Sequence, residues 1–156
     1  MSKFTTLIVL IVAFAIPAWA EIPNKPIVSA PTDIKDCISA LVGETPKQAI
    51  QFFFAAIRSG DLNDKELSQS FSCRASSRAK LGQYEHAIRD YTQALHIDPA
   101  NKAAWLGRGA AYNAVGQFKS ALSDMDEYWK LNKNTPEMWY IKGYAYSRLG
   151  RDEYAR

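Results

Sequence analysis

The feature that most constrains this chain is a period. Gly82, Tyr84, Ala87, Tyr91 and Ile97 are followed, 34 residues on, by Gly116, Phe118, Ala121, Met125 and Leu131, and Gly150 and Ala155 begin a third pass. Within the first pass Tyr84, Ala87, Ile88, Tyr91, Ala94, Leu95 and Ile97 recur at spacings of three and four, which puts them on one stripe of an amphipathic helix. Gly82 ends the helix before it, and Asp98-Pro99 stops it. A repeating unit of this kind cannot bury its apolar face alone, so the period specifies an all-α stack of helical hairpins, each covering the next.

The residues at these positions resemble the tetratricopeptide repeat, a helix-turn-helix unit with Trp, Leu, Gly and Tyr preferred in its first helix and Ala, an aromatic, Ala and Pro in its second. The best match supplies Ala87, Tyr91, Ala94 and Pro99. The next supplies Trp105, Gly109, Tyr112 and Ala121, and the third Trp139, Gly143, Tyr146 and Ala155. Departures are present: Arg74, Arg108 and Lys142 stand where Leu is usual, Ala75 replaces the first small Gly, and Met125, Tyr128 and Lys133 replace an aromatic, an Ala and the Pro. The resemblance covers residues 68–156 and implies hairpins stacked into a right-handed superhelix, an α-solenoid. The repeats fall at about 68–101, 102–135 and a shortened 136–156.

The rest of the chain divides on composition. Residues 1–20 have the pattern of an export signal: Lys3, an apolar core from Leu7 to Ile16, and Ala18-Trp19-Ala20 as a small-x-small cleavage site. The apolar run is shorter than the ~20 residues a membrane span needs, so the expectation is a cleaved signal, an exported periplasmic or secreted protein, and no stable membrane anchor afterwards. Pro23, Pro26 and Pro31 make residues 21–32 an extended linker. Residues 33–60 suggest a degenerate hairpin, with a short helix from Asp33 to Val42, a break at Gly43, and Thr45-Pro46 opening a second helix that carries Ala49, Phe53 and Ala56. The main repeat domain then occupies residues 65–156, with Asn63 or Asp64 as its first cap.

The first helix of that domain, Lys65 to Leu81, is serine-rich. Its stripe is expected to be Leu67, Phe71, Ala75 and Leu81, with the serines contributing little burial and with Arg74 and Arg78 laid along the hairpin edge. Gly109 and Ala110 are small where a partner helix passes close.

Few groups in the chain fit catalytic chemistry. His86 and His96 lie ten residues apart on one helix, about 15 Å along its axis, too far to share a metal. Asp124, Asp126 and Glu127 are better explained as an exposed polar face than as a carboxylate site. No HExxH, GxSxG, CxxC or glycine-rich phosphate loop is present. No catalytic residue, metal site or cofactor is therefore expected. The formal net charge of +3 is scattered along the chain, which gives no basis for a nucleic-acid partner. Cys37 and Cys73 are two equal possibilities: a disulfide worth about 3–4 kcal/mol in an oxidising compartment, or two separately buried thiols.

Function, as the resemblance implies it, is interaction: a partner protein or peptide held in the concave groove lined by first helices. On the family's pattern that groove holds Gln69, Ser72, Ser76 and Lys80, then Leu106 and Asn113, then Tyr140, Tyr144 and Arg148. The Lys and Asn set that some members use to grip a terminal carboxylate is absent, since Ser72, Ser76 and Ala103 occupy its places. Two rival classes stay open: the targeting portion of a longer cell-envelope enzyme or accessory subunit, and a self-associating structural repeat. The last hairpin has a full first helix but only Arg151 to Arg156 for its second, so its apolar face is expected to be exposed, covered by sequence beyond Arg156, or filled by a second copy in a homodimer.

Overall fold

The computed structural model describes residues 45–133 and 135–154. The expected signal at residues 1–20, the linker at 21–32, the short helix at 33–42 and Cys37 lie outside the described residues. Those described form six helices and no strand: α1 (Pro46–Ser59), α2 (Asp64–Lys80), α3 (Tyr84–Ile97), α4 (Lys102–Ala114), α5 (Phe118–Leu131) and α6 (Pro136–Tyr154).

The helix starts follow from local chemistry. Thr45 caps α1 and Gln48 reaches back to it, with Pro46 in the first turn, where its missing N–H costs nothing. Asn63 and Glu66 make the same reciprocal box at α2. Asn101 Oδ1 accepts from the Ala104 N–H at α4. The hairpin turns are equally regular. Gly82 and Gly116 take φ of 73° and 79°, a left-handed conformation that favours glycine, and the next N–H closes onto the helix end, Gln83 to the Arg78 carbonyl and Gln117 to the Tyr112 carbonyl.

Each hairpin closes over small residues. Ala75, Ala87, Ala94 and Ala104 are fully buried around Tyr91 and Leu95, and Ala121 and Met125 are fully buried with Tyr128, Met138 and Ile141. The same stripe therefore packs twice, once within a hairpin and once against the next first helix. Ahead of them α1 lies on α2 with Phe53 against Cys73. The helices α2, α4 and α6 touch one another along one side of the stack, while α3 and α5 make no comparable contact, so the first helices form the tighter, inner curve of an all-α helical-repeat solenoid.

Three expectations need correction. The serines of α2 are not a weakly buried face: Ser68, Ser70, Ser72 and Ser77 are all buried. Three are accommodated by bonded hydroxyls, Ser68 donating to the Ala94 carbonyl, Ser77 to the Cys73 carbonyl, and Ser68 and Ser72 accepting from Asn101 Nδ2. Leu81, placed on the buried stripe, is instead exposed at the end of the helix. The third concerns α6, which does not turn at Gly150 but runs through it to Tyr154. Reversal at Gly82 and Gly116 gives up helical hydrogen bonds and is offset by burying a second helix on the first.

Candidate interaction surface

Before any partner can be held, the first helices must be fixed in register, and the residues that fix them were read from the sequence as departures. Arg74 and Arg108, one period apart, each reach a carboxylate sixteen residues on in the second helix of their own hairpin. Arg74 Nε and Nη2 donate to Asp90 at 2.8 and 2.7 Å, and Arg108 Nε and Nη2 donate to Asp124 at 2.8 Å each. Both pairs are bidentate and largely out of water, with Asp90 and Asp124 each 4% exposed. Arg78 adds a second cation on Asp90. Arg74 and Arg78 thus turn onto Asp90 and do not run along the hairpin edge, and Asp124 is not on an exposed polar face; both expectations fail because a fork of donors facing a carboxylate lets opposite charges enter the helix interface together.

Each cation also lies over the aromatic ring three residues before it, Arg74 over Phe71 at 5.3 Å, Arg108 over Trp105 at 5.0 Å and Lys142 over Trp139 at 5.9 Å. Burial pushes the Asp124 carboxyl above its usual value, against the pull of Arg108. Burial is also the largest influence on Arg108 and works against its charge, but the hydrogen bonds and the charge of Asp124 together outweigh it and hold Arg108 above its ordinary value. The two halves lean opposite ways, and the arginine decides, since a guanidinium keeps its proton. Tyr91, enclosed behind the clasp, has its phenol pushed far up by burial, with Ser76 as a hydrogen-bond partner. Its ring fills the space beside Gly107, where an added Cβ would come within 2.3 Å of it.

On this frame the residues expected in the groove separate into two sets. Ser72 and Asn113 are withdrawn from it. Ser72 is bonded to Asn101, and Asn113 is buried with Nδ2 donating to the Ile141 carbonyl at 2.9 Å, tying α4 to α6. Gln69 and Ser76 are half-buried, and Leu106 packs on the Met125 and Met138 cluster. Of the residues named on the first two inner helices, only Lys80 is exposed. The α6 set is different. Tyr140 is 76% exposed and Tyr144 44%, and Arg148 is exposed beside them. Phe118, from the start of α5, meets Tyr144 edge-on at 6.2 Å and lies under the Arg148 guanidinium at 5.8 Å.

Phe118 was missed as a member of this strip. In the sequence it marks only the entry of a second helix, one period after Tyr84, and no local pattern says that the start of α5 meets the next hairpin. Elsewhere on the surface His86 and His96 are both exposed, and among the described residues no group of three or more His, Cys, Asp and Glu gathers to hold a metal. No described helix is long and apolar enough to cross a membrane. Cys73 is buried and engaged in a disulfide, the first of the two possibilities for the cysteines, and Cys37 lies outside the described residues.

Residues 76–116 match the family described as TPR repeat. The matched stretch holds the end of α2, all of α3 and α4 and the turns at Gly82 and Gly116. No curated protein matches the chain. TPR repeats generally mediate protein–protein interaction and the family is typically non-catalytic.

Proposed function

We propose that this chain is a non-catalytic, exported protein-interaction module that holds a partner protein or peptide against the inner face of its TPR hairpins, with α6 as the principal contact. The observation that carries the reading is the strip of Tyr140, Tyr144, Phe118 and Arg148. Two exposed tyrosines and a guanidinium share one patch on α6, with the half-buried ring of Phe118 from α5 against them, and Tyr and Arg are the side chains that dominate binding energy when a partner excludes water from them. Mutual stacking holds Phe118, Tyr144 and Arg148 partly ordered in advance, which lowers the entropy lost on binding. The partner that suits such a strip is a segment with apolar side chains to cover the rings and an acidic group within reach of Arg148. Export rests on the pattern of residues 1–20 alone.

The test places a photo-crosslinking phenylalanine at position 140 or 144 and, as a control, at the exposed Arg89 on α3. Discrete adducts are expected from the first two positions, lost when Arg148 is changed to Ala, and none from the third. Equal yields at all three positions would reject the inner face as the binding surface.

A further inference from the structure

On the outer side of the stack α1 and α3 both pack on α2 without a comparable contact between them, and α3 and α5 flank α4 likewise, which leaves two outer grooves. They are built in one register. Phe53 of α1 lies on Cys73 of α2 as Tyr91 of α3 lies on Gly107 of α4, one period after Cys73. Arg74 and Arg108 each reach forward to an aspartate and back to the preceding helix, Arg74 over the Phe54 ring at 5.9 Å and Arg108 onto the Thr92 hydroxyl at 3.1 Å. Their charges differ. In the second groove Arg108 has Asp124, with Glu127 three residues on and Tyr112 following on α4. In the first, Arg78 stands where Tyr112 and Tyr146 stand in later hairpins, Arg58 where His96 stands, and Gln93 where Glu127 stands. Three arginines therefore stand against Asp90, the one acid at these positions.

The unmatched charge has a direction. Arg74 commits its Nε and Nη2 fork to Asp90. Arg78 reaches the same carboxylate through Nη1 alone, at 2.7 Å, and among the described residues its Nε and Nη2 have no acceptor. Those two donors form the edge through which Arg74 and Arg108 hold their aspartates, and on Arg78 the Nη1 bond fixes where that edge points while 19% of the side chain stays exposed. Arg58, exposed near the end of α1, lies 5.6 Å from the Phe54 ring and has no carboxylate partner among the described residues. Phe54 itself is 47% exposed with Arg58 and Arg74 both against it. Because α1 and α2 form an antiparallel pair, Arg58 lies one turn to one side of the Phe54–Arg74 contact and Arg78 one turn to the other, about 12 Å apart along the helices.

We propose that the groove between α1 and α3 holds an extended acidic segment of a separate partner protein with the pattern acidic-x-apolar-x-acidic. One carboxylate completes the Arg78 fork, the second pairs with Arg58, and the apolar side chain covers Phe54. Alternate residues of an extended chain point to one side, and four residues of it cover about 13 Å, which matches the spacing of the two arginines. Charge complementarity selects an acidic partner, and the exposed ring between the cations selects a peptide over a bare anion. No two acidic residues of this sequence stand four apart, so neither its own residues nor a second copy of them supplies the pattern. The proposal is independent of the Tyr140 strip.

The probe is the end-blocked peptide Gly-Glu-Ser-Leu-Ser-Glu-Gly, titrated into the isotope-labelled full chain while the arginine Nε–H resonances are followed by NMR. The Arg78 and Arg58 signals should shift together and saturably, with that of Arg108, whose Nε is held by Asp124, as the internal reference. A peptide with Gln in place of both Glu should move neither. Arg78→Tyr, the change to the residue type that this register carries at 112 and 146, should weaken binding at least tenfold as read from Arg58, with circular dichroism unchanged. Phe54→Thr, matching position 92 of the next groove, should weaken it at least threefold. No saturable movement of the Arg78 signal, an unchanged affinity in both variants, an equal response to inorganic phosphate, or movement centred on Arg148 in place of Arg78 and Arg58 would each overturn the proposal. The phosphate result would make this a general site for the anion that nucleic acids and lipid headgroups share, and the Arg148 result would move the peptide to the inner face.

Discussion

The helices α4 and α6 carry matching residues in one register and finish in opposite surroundings. Trp105, Arg108, Gly109 and Tyr112 of α4 correspond to Trp139, Lys142, Gly143 and Tyr146 of α6. On α4 the arginine is clamped on Asp124, the glycine is filled by Met125 and the tyrosine packs on the Ala121 and Met125 cluster. On α6 the glycine faces open space and the tyrosine is mostly exposed. The difference lies in the neighbour. A helical stripe is a capacity for burial, and whether a given Tyr or Gly counts towards stability depends on a second helix that the stripe itself does not specify.

Removing the shared carboxylate of the first hairpin gives the largest expected break. Asp90→Ala leaves Arg74 and Arg78 beside each other in a buried interface with no counter-ion, and urea denaturation should show a loss of about 3–5 kcal/mol. A loss under about 1 kcal/mol would place the clasp with ordinary surface ion pairs.

Next is Gly107, which separates α4 from the rigid ring of Tyr91. Gly107→Ala drives a methyl into that ring and should cost about 1–3 kcal/mol, whereas a midpoint unchanged or raised would mean that α3 and α4 can move apart freely.

Sharpest for the comparison itself is one substitution made at two equivalent sites. Gly143→Ala meets no atom and removes the entropy cost of a helical glycine, so stability should rise by about 0.5–1 kcal/mol. Gly109→Ala has to displace the Met125 methyl and should gain less or lose. Equal gains at both sites would show that α5 packs no closer to α4 than solvent does to α6.

The smallest effect belongs to Lys142→Ala. Its carboxylate partner Asp126 is 64% exposed at the side chain, so the pair contributes at most about 1 kcal/mol, and thermal unfolding should barely shift. A loss as large as that for Asp90 would make Lys142 a structural clasp in the same sense as Arg74.

Helix positions and turns were legible because they depend on neighbours within one or two turns of chain. Thr45-Pro46, Asn63, Asn101, Gly82 and Gly116 act where spacing alone places them. The inner face was half legible: Tyr140, Tyr144 and Arg148 are exposed as the register requires, but Ser72 and Asn113 are turned into bonds with Asn101 and Ile141. Serine and asparagine carry no sign of whether their partner is water or a buried group on another helix. Arginine is as ambiguous, since its long stem suits a surface and its fork suits a buried carboxylate.

What the sequence by itself determined is the repeat: a 34-residue period, an apolar stripe of helical spacing and glycine at the reversals leave a stack of helical hairpins as the consistent fold. What only the tertiary structure decided is where charge and exposure lie. Arg74 is buried and Arg108 half-buried because a carboxylate sixteen residues away is carried onto each by the hairpin turn, and Phe118 joins Tyr144 because successive hairpins touch. Among the described residues, α6 runs on through Gly150, one period after the glycines that reverse the chain at 82 and 116. The placing of Arg74, Arg108 and Phe118 depends on contact between helices, and a contact free energy belongs to two surfaces at once, so no single stretch of chain encodes it.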